Sequence, residues 1–231
     1  MADRPYTLLS CGMSLDAYLD SPATARLALS NAADFARVDA VRAASDAILV
    51  GAATVRNDDP RLLVRSAAAR RDREARGLGP SPAKVTVTAS GLLDPAARFF
   101  TTGAAEKLVY CRPELAPDLQ QRLPASVIGL RRLGMRALSE DLCARGVNRL
   151  MVEGGGRIHT QFLTEELADE LQLVVAPLFV GDSRAHRFVH DGDFPWNHER
   201  RAELAGVHRI GDVVLLRYAL SPRFETEAAP L

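Results

Sequence analysis

Glu153 ends the apolar run Leu150-Met151-Val152 and is followed at once by Gly154, Gly155 and Gly156. A carboxylate at the end of such a run, next to three residues without side chains, is suited to holding an anion beside a group that can carry a proton. The apolar run reads as a strand covered on both faces of a parallel sheet. Ile158, Phe162 and, one turn further on, Leu167 recur at helical spacing, so a helix should begin near Gly156. Its first backbone N–H groups lack intrahelical partners and point back over the strand end, where the helix dipole favours negative charge. A pyrophosphate can approach such a backbone closely. Glu153 would then lie at the carboxyl edge of the strand, where open α/β sheets place their chemistry. A tight glycine turn with a solvated Glu153 fits the same letters, and one glycine triplet does not decide between the two.

The elements that must position these residues alternate along the chain. Tyr6 to Gly12 reads as a buried strand, with a loop at Asp20-Ser21-Pro22. Ser30-Asn31 followed by Asp34 has the form of a helix N-cap, and Phe35, Val38 and Val41 mark one face of a helix running to about Ala44. Arg42, in its last turn, suits the helix dipole there. Ala47 to Val50 is a second buried strand, and Thr54 to Arg65 reads as a charged loop in which Asp58-Asp59-Pro60 is turn chemistry. Residues 66–82 read as a charged surface excursion. Asp72, Glu74 and the lack of interleaved aromatics argue against a nucleic-acid patch there.

Strands at 85–88, 108–110 and 127–130 then alternate with helices at 117–123 and 137–145, the second closed by Gly146. A strand at 171–176 and a polar loop at 181–192 follow the glycines. Residues 206–210 and 213–218, joined by Gly211-Asp212, read as an antiparallel hairpin whose second strand offers an apolar edge. The pattern is that of the α/β class: a largely parallel sheet with flanking helices and a C-terminal antiparallel hairpin.

Composition narrows the function. The 231 residues carry 29 basic and 29 acidic side chains, with no net charge to attract nucleic acid or an anionic membrane. Cys11, Cys111 and Cys143 are too far apart for a CxxC motif, and a reducing cytoplasm suits them. No charged-then-apolar stretch opens the sequence and no run approaches membrane-spanning length, so neither export nor membrane insertion is expected. The five histidines have no metal-ligand spacing, and GxGxxG, GxxxxGK[ST], HExxH and GxSxG are absent.

Five stretches taken in order carry a resemblance: Met13-Ser14-Leu15-Asp16; Ser45 to Gly51; Thr54-Val55 through Asp58-Asp59-Pro60-Arg61-Leu62 to Arg65; Val152-Glu153-Gly154-Gly155; and Leu167 to Leu171. Together they resemble the pyrimidine reductase family of riboflavin biosynthesis, built on a dihydrofolate-reductase-like fold. The match covers about residues 5–220 of a single reductase domain, 1–231, with 221–231 as a tail. The resemblance implies NADPH-dependent reduction of the ribosyl group of a 5′-phosphorylated aminopyrimidine to a ribityl group, by a homodimer. It places cofactor contacts on Gly12, Thr54, Asp58 and the elbow of Gly154, Gly155, Gly156, Arg157 and Ile158. Substrate contacts fall on Arg42, Leu62, Arg65 and Glu153, with Glu153 as the candidate proton donor. Arginine suits a phosphate because its planar guanidinium offers two N–H donors at once.

The chain departs from the family at Ala17, where many members have glycine, and at Ser10, where many bacterial members have lysine. Thr88-Ala89 replaces a usual Asp-Ser pair, and Arg26 to Asn31 replaces a Ser-x-Trp loop. The H-x-E and P-C-x-x-C signature of the deaminase often fused to this reductase is missing. Two other readings stay open: a reductase of the same fold acting on another pteridine, pyrimidine or imine, and a nucleotide-binding protein without catalysis.

Overall fold

The computed structural model describes residues 3–22 and 27–226. Along the chain the elements are β1 (Tyr6–Ser14), α1 (Ala32–Ala43), β2 (Ala47–Gly51), α2 (Ala52–Asp58), α3 (Ala67–Ala75), β3 (Ala83–Val87), α4 (Arg98–Thr101), β4 (Lys107–Cys111), α5 (Ala116–Arg122), β5 (Ser126–Gly129), α6 (Met135–Ala144), β6 (Arg149–Gly154), α7 (Gly156–Thr164), β7 (Glu170–Ala176), β8 (Glu203–Ile210) and β9 (Val213–Ala219). They form two compact units. The first is Met1–Pro5 with Asp39–Met151, the second Tyr6–Val38 with Val152–Leu231.

In the first unit, β2, β3, β4 and β5 pair in parallel, each with the next. Parallel strands need crossovers, and helices supply them, so strands covered on both faces become continuous apolar runs. All five residues of β2 are buried. Thr54 to Asp58, expected as loop, is the end of α2. Only Ala52 and Val55 of that helix are buried, which is too short a stripe to read in the sequence. Within the expected surface excursion, Ser66 caps α3 by accepting from the amide of Ala69, and Arg73 is buried, donating to the carbonyls of Ala43, Ser45 and Gly79. That arginine caps the end of α1 and the following turn from beneath.

In the second unit, β1 pairs with β7 in parallel, while β9 runs antiparallel to both β7 and β8. Val174, Ala176, Val213 and Leu215 pack together under Leu29, Leu178 and Ile210. The hairpin forms as expected, with Gly211 at φ +64°, a conformation a glycine-first turn requires. Its second strand is not the edge. β9 lies between β7 and β8, and β8 carries the exposed Leu204 and Val207.

The face of α1 also differs from its apolar stripe. Asn31 caps the helix as expected, accepting from the amides of Ala33 and Asp34. Phe35, however, is exposed, while Asp34 and Arg37 are buried. A polar chain explains this: Arg37 donates to Asp34 and to Gln172, Gln172 donates to Glu170, and Glu170 also accepts from Tyr6 and Arg217. A buried ion is tolerated when hydrogen bonds satisfy it in this way. Among the described residues, no helix is long and apolar enough to cross a membrane.

Candidate functional site

The glycine elbow forms as the sequence requires. β6 ends at Gly154, which has φ +147°, Gly155 has φ +88°, and α7 starts at Gly156. Two successive residues in conformations that L side chains avoid turn the chain from strand into helix within one peptide. No side chain caps α7. Ile158 and Phe162 bury the helix as predicted, whereas Leu167 lies past its end at Thr164. Arg157 is exposed and Glu153 half-buried.

Gly156 is glycine for a reason the sequence does not display. A Cβ there would lie 2.3 Å from the carbonyl oxygen of Arg187 and 3.2 Å from Nε2 of His190. The segment 185–190 is strapped over the helix start. The His190 amide donates to Thr160 Oγ1, and Thr160 Oγ1 donates to the Gly156 carbonyl. Beneath it, the buried His159 ring sits 5.4 Å from the ring of Phe188, and burial pushes its pKa down to about 4. The far end of the strap pairs with the turn after β1: Phe188 donates its amide to Ala17, and Arg187 stacks 5.1 Å from the Tyr18 ring.

That turn is the Met13-Ser14-Leu15-Asp16 stretch. Ser14 Oγ donates to Asp16 and accepts from the amide of Tyr18, and Asp16 also accepts from the amides of Val180 and Gly181. The Ser14 hydroxyl and the two amides hold the Asp16 carboxyl down at about 2. Gly12 lies half-buried on β1, and a Cβ on it would touch Leu29 at 3.4 Å.

Arg42, Thr54, Asp58, Leu62 and Arg65 all belong to the first unit. Thr54 and Asp58 ride on α2, with Asp58 exposed at its last position. Asp59, next in sequence, adopts φ +42° and accepts the Arg98 amide and side chain at 2.6 and 2.8 Å. Those bonds lower its pKa. Leu62 is buried at φ +47°. A bulky residue persists in that region only when its surroundings over-determine it, and such strain gathers at functional sites.

The following residues are tethered peptide by peptide. Arg42 donates to the Leu63 carbonyl at 3.2 Å, and Val64 donates its amide to Ser81. Asp39 accepts the amides of Arg65 and Ser66 at 2.6 and 2.8 Å. The structure therefore brings Arg42, Leu62 and Arg65 to one loop, with the Arg65 side chain exposed. Gly12, Glu153, Gly154, Gly155, Gly156, Arg157 and Ile158 belong to the second unit. Asp39 escapes sequence reasoning because an acidic residue on a helix with charged neighbours carries no distinguishing signal.

Comparison with known proteins assigns the chain to a family. The profile described as RibD C-terminal domain matches residues 5–216. The chain belongs to that family. It is 33% identical over 224 residues to a protein of Archaeoglobus fulgidus named 2,5-diamino-6-ribosylamino-4(3H)-pyrimidinone 5′-phosphate reductase, covering 96% of this chain and 99% of that one. A protein of the same name from Methanothermobacter thermautotrophicus is 32% identical over 221 residues, covering 94% and 99%. Among solved structures, Acinetobacter baumannii RibD aligns with a TM-score of 0.76 at 25% identity, over 94% of this chain but 58% of that one. The chain thus spans little more than half of that RibD. A pyrimidine reductase-like protein of Corynebacterium diphtheriae aligns with a TM-score of 0.79 at 20% identity, over 93% and 91%, and shares the fold. The dihydrofolate-reductase-like α/β fold, with its mostly parallel strands and antiparallel C-terminal strands, is the one the sequence predicts.

The points at which this RibD-family chain departs from the family pattern can now be placed. Ser10 is buried on β1 opposite Gln172, and Thr88 is buried after β3, accepting the Gly91 amide. Ala17 sits at φ +66°, a conformation that glycine adopts without strain. Of the altered loop, Arg26 lies outside the described residues, and Asn31 is used as the cap of α1.

Proposed function

We propose that this chain is an NADPH-dependent reductase of riboflavin biosynthesis, a single reductase domain that converts the ribosyl group of a 5′-phosphorylated aminopyrimidine to ribityl. The observation that carries the reading is the match to the Archaeoglobus reductase over nearly the whole of both chains. The elbow fits a dinucleotide. An uncapped nine-residue helix entered through glycines leaves backbone donors for a pyrophosphate. Gly154, Gly155, Gly156, Arg157 and Ile158, with Gly12, Thr54 and Asp58, are the residues that would hold the cofactor.

When bound, NADPH supplies the hydride; the protein supplies orientation and a proton. Arg65 and Arg42 take the substrate phosphate, and Leu62 packs against the substrate. Glu153 donates the proton that the reduced carbonyl or imine needs, directly or through one water. The enzyme works as a homodimer in the reducing cytoplasm.

The names of the full-length relatives favour the 2,5-diamino pyrimidinone as substrate over the deaminated aminouracil. NADPH oxidation is measured with each compound and with dihydrofolate. Turnover of the diamino compound well above that of the other two is expected. Oxidation with dihydrofolate alone, or with none of the three, overturns the assignment. Light scattering should give about twice the 25.0 kDa chain mass, and a monomer at micromolar concentration rejects the dimer.

A further inference from the structure

Resting on the phosphate-anchor reading of Arg65, we propose that Asp39 is a positioning residue for substrate binding, one that fixes the Arg65 backbone and thereby leaves phosphate recognition to guanidinium groups instead of main-chain amides. Asp39 is only 6% exposed, yet neither carboxylate oxygen is directed to a cation by the bonds it makes to this loop. Oδ1 accepts the Arg65 amide and Oδ2 the Ser66 amide, a two-pronged grip on consecutive peptides.

The grip is part of a larger clamp. One helical turn beyond Asp39, Arg42 holds the Leu63 carbonyl, and Arg70 from α3 donates to the carbonyls of Val64 and Arg65 at 3.1 and 2.8 Å. Ser81 accepts the Val64 amide. Every peptide from 63 to 66 therefore has a side-chain partner, which is more than a connecting loop needs. Bonds with an ionised donor or acceptor are about twice as strong as neutral ones, so Asp39 and Arg70 together hold the Arg65 backbone firmly from its amide and its carbonyl.

Two chemical consequences follow. Amides already given to a carboxylate are not available to an anion, so a phosphate met at Arg65 and Ser66 must be met by side chains. A buried negative charge beneath the loop also opposes an incoming phosphate. A carboxylate at this position therefore contributes through geometry and in spite of its sign.

The two effects predict opposite results for Asp39→Asn, which keeps the size, removes the charge and leaves one amide poorly matched. If positioning dominates, KM for the phosphorylated ribosylaminopyrimidine rises about tenfold. Meanwhile kcat, KM for NADPH and KM for the dephosphorylated ribosylaminopyrimidine stay within about threefold. In the Arg65→Ala background the substitution should add little, because its effect passes through Arg65.

An unchanged or lowered KM overturns the proposal, as does an equal change in all four parameters or a full additional loss beside Arg65→Ala. Arg65→Ala alone separates the two levels. If it leaves phosphate-dependent binding intact, the anchor reading fails; if it weakens that binding while Asp39→Asn does not, only the positioning role fails. Should Asp39→Asn not fold, Asp39→Glu keeps both acceptors and the charge on a longer arm. A raised KM for the phosphorylated substrate with kcat kept supports positioning, and a wild-type KM rejects it.

Discussion

The glycine elbow and the Arg61–Ser66 loop carry the two halves of the proposed chemistry, and they are built in opposite ways. The elbow is shaped by missing side chains: Gly154 and Gly155 turn the backbone through positive φ, and Gly156 makes room for the Arg187 carbonyl. The loop is shaped by added side chains, with Asp39, Arg42, Arg70 and Ser81 each holding one or two of its peptides. A backbone fixed by its own torsions keeps its amides for a ligand. One whose Val64, Arg65 and Ser66 amides are already bonded to side chains must recognise a ligand there with other side chains. The elbow is thus suited to a pyrophosphate and the loop to guanidinium recognition.

The sharpest way to break this comparison is at the carboxylate beside the elbow. Glu153→Gln keeps shape and removes the proton, so kcat should fall by about 10²–10⁴-fold with NADPH affinity retained. A loss under about threefold with an unchanged pH profile would make Glu153 a binding residue only. Next in size is Gly156→Ala. A Cβ 2.3 Å from the Arg187 carbonyl forces strap or helix to move, and overpacking of this kind costs about 1–3 kcal/mol. Denaturant titration should show that loss, and NADPH affinity should fall with it because the helix start shifts. Undiminished stability would mean that the strap gives way freely and that the elbow does not depend on its glycine.

The same contrast explains what the sequence discloses. β2 and β6 are legible because strands covered on both faces become unbroken apolar runs, and the elbow because an apolar run broken by three glycines marks a turn. α2 is not, since seven residues with two buried ones leave no stripe. The buried Asp34, Arg37 and Arg73 are hidden for another reason. Arg37 reaches Gln172, and Arg73 the carbonyls of Ala43 and Ser45, all far along the chain, and composition alone places charged residues outside. Asp39 belongs with them, so a loop held by long-range side-chain bonds is the part of a site that sequence reads least well.

Acid should act on the elbow through His159. His159, buried under the strap, has its pKa pushed from 6.5 to about 4 by burial. Between those values the unfolded chain binds a proton that the folded chain does not, so stability is lost as pH falls from about 6.5 towards 4. The lowered pKa corresponds to a loss of about 2–3 kcal/mol at pH near 4.5. His159→Leu should flatten that part of the stability profile; an unchanged slope would assign it to the carboxylates. For the loop, Arg65→Ala should raise KM for the phosphorylated substrate by about 10–100-fold, since hydrogen bonds to charged groups contribute roughly 1.5–3 kcal/mol. NADPH affinity should hold. The reverse pattern would move Arg65 to the cofactor.

The smallest effect tests whether torsion or tether governs the turn after β1. Ala17 is held at φ +66° by its amide bond to the Ser14 carbonyl, by the Ser14–Tyr18 bond and by Phe188 donating to its own carbonyl. An L residue in that region is strained by about 1–2 kcal/mol, which glycine would relieve. Glycine also adds freedom to the unfolded chain, worth about 0.4–1 kcal/mol in the other direction. Ala17→Gly should therefore stabilise the protein by only about 0.5 kcal/mol, raising Tm by one or two degrees in a domain of this size, on the scale of about 2–4 °C per kcal/mol. Turnover should not change, because the backbone already occupies the glycine conformation. A lower Tm would mean that the tethers have relaxed the strain and that this turn, like the arginine loop and unlike the elbow, is shaped by its bonds and not by its torsions.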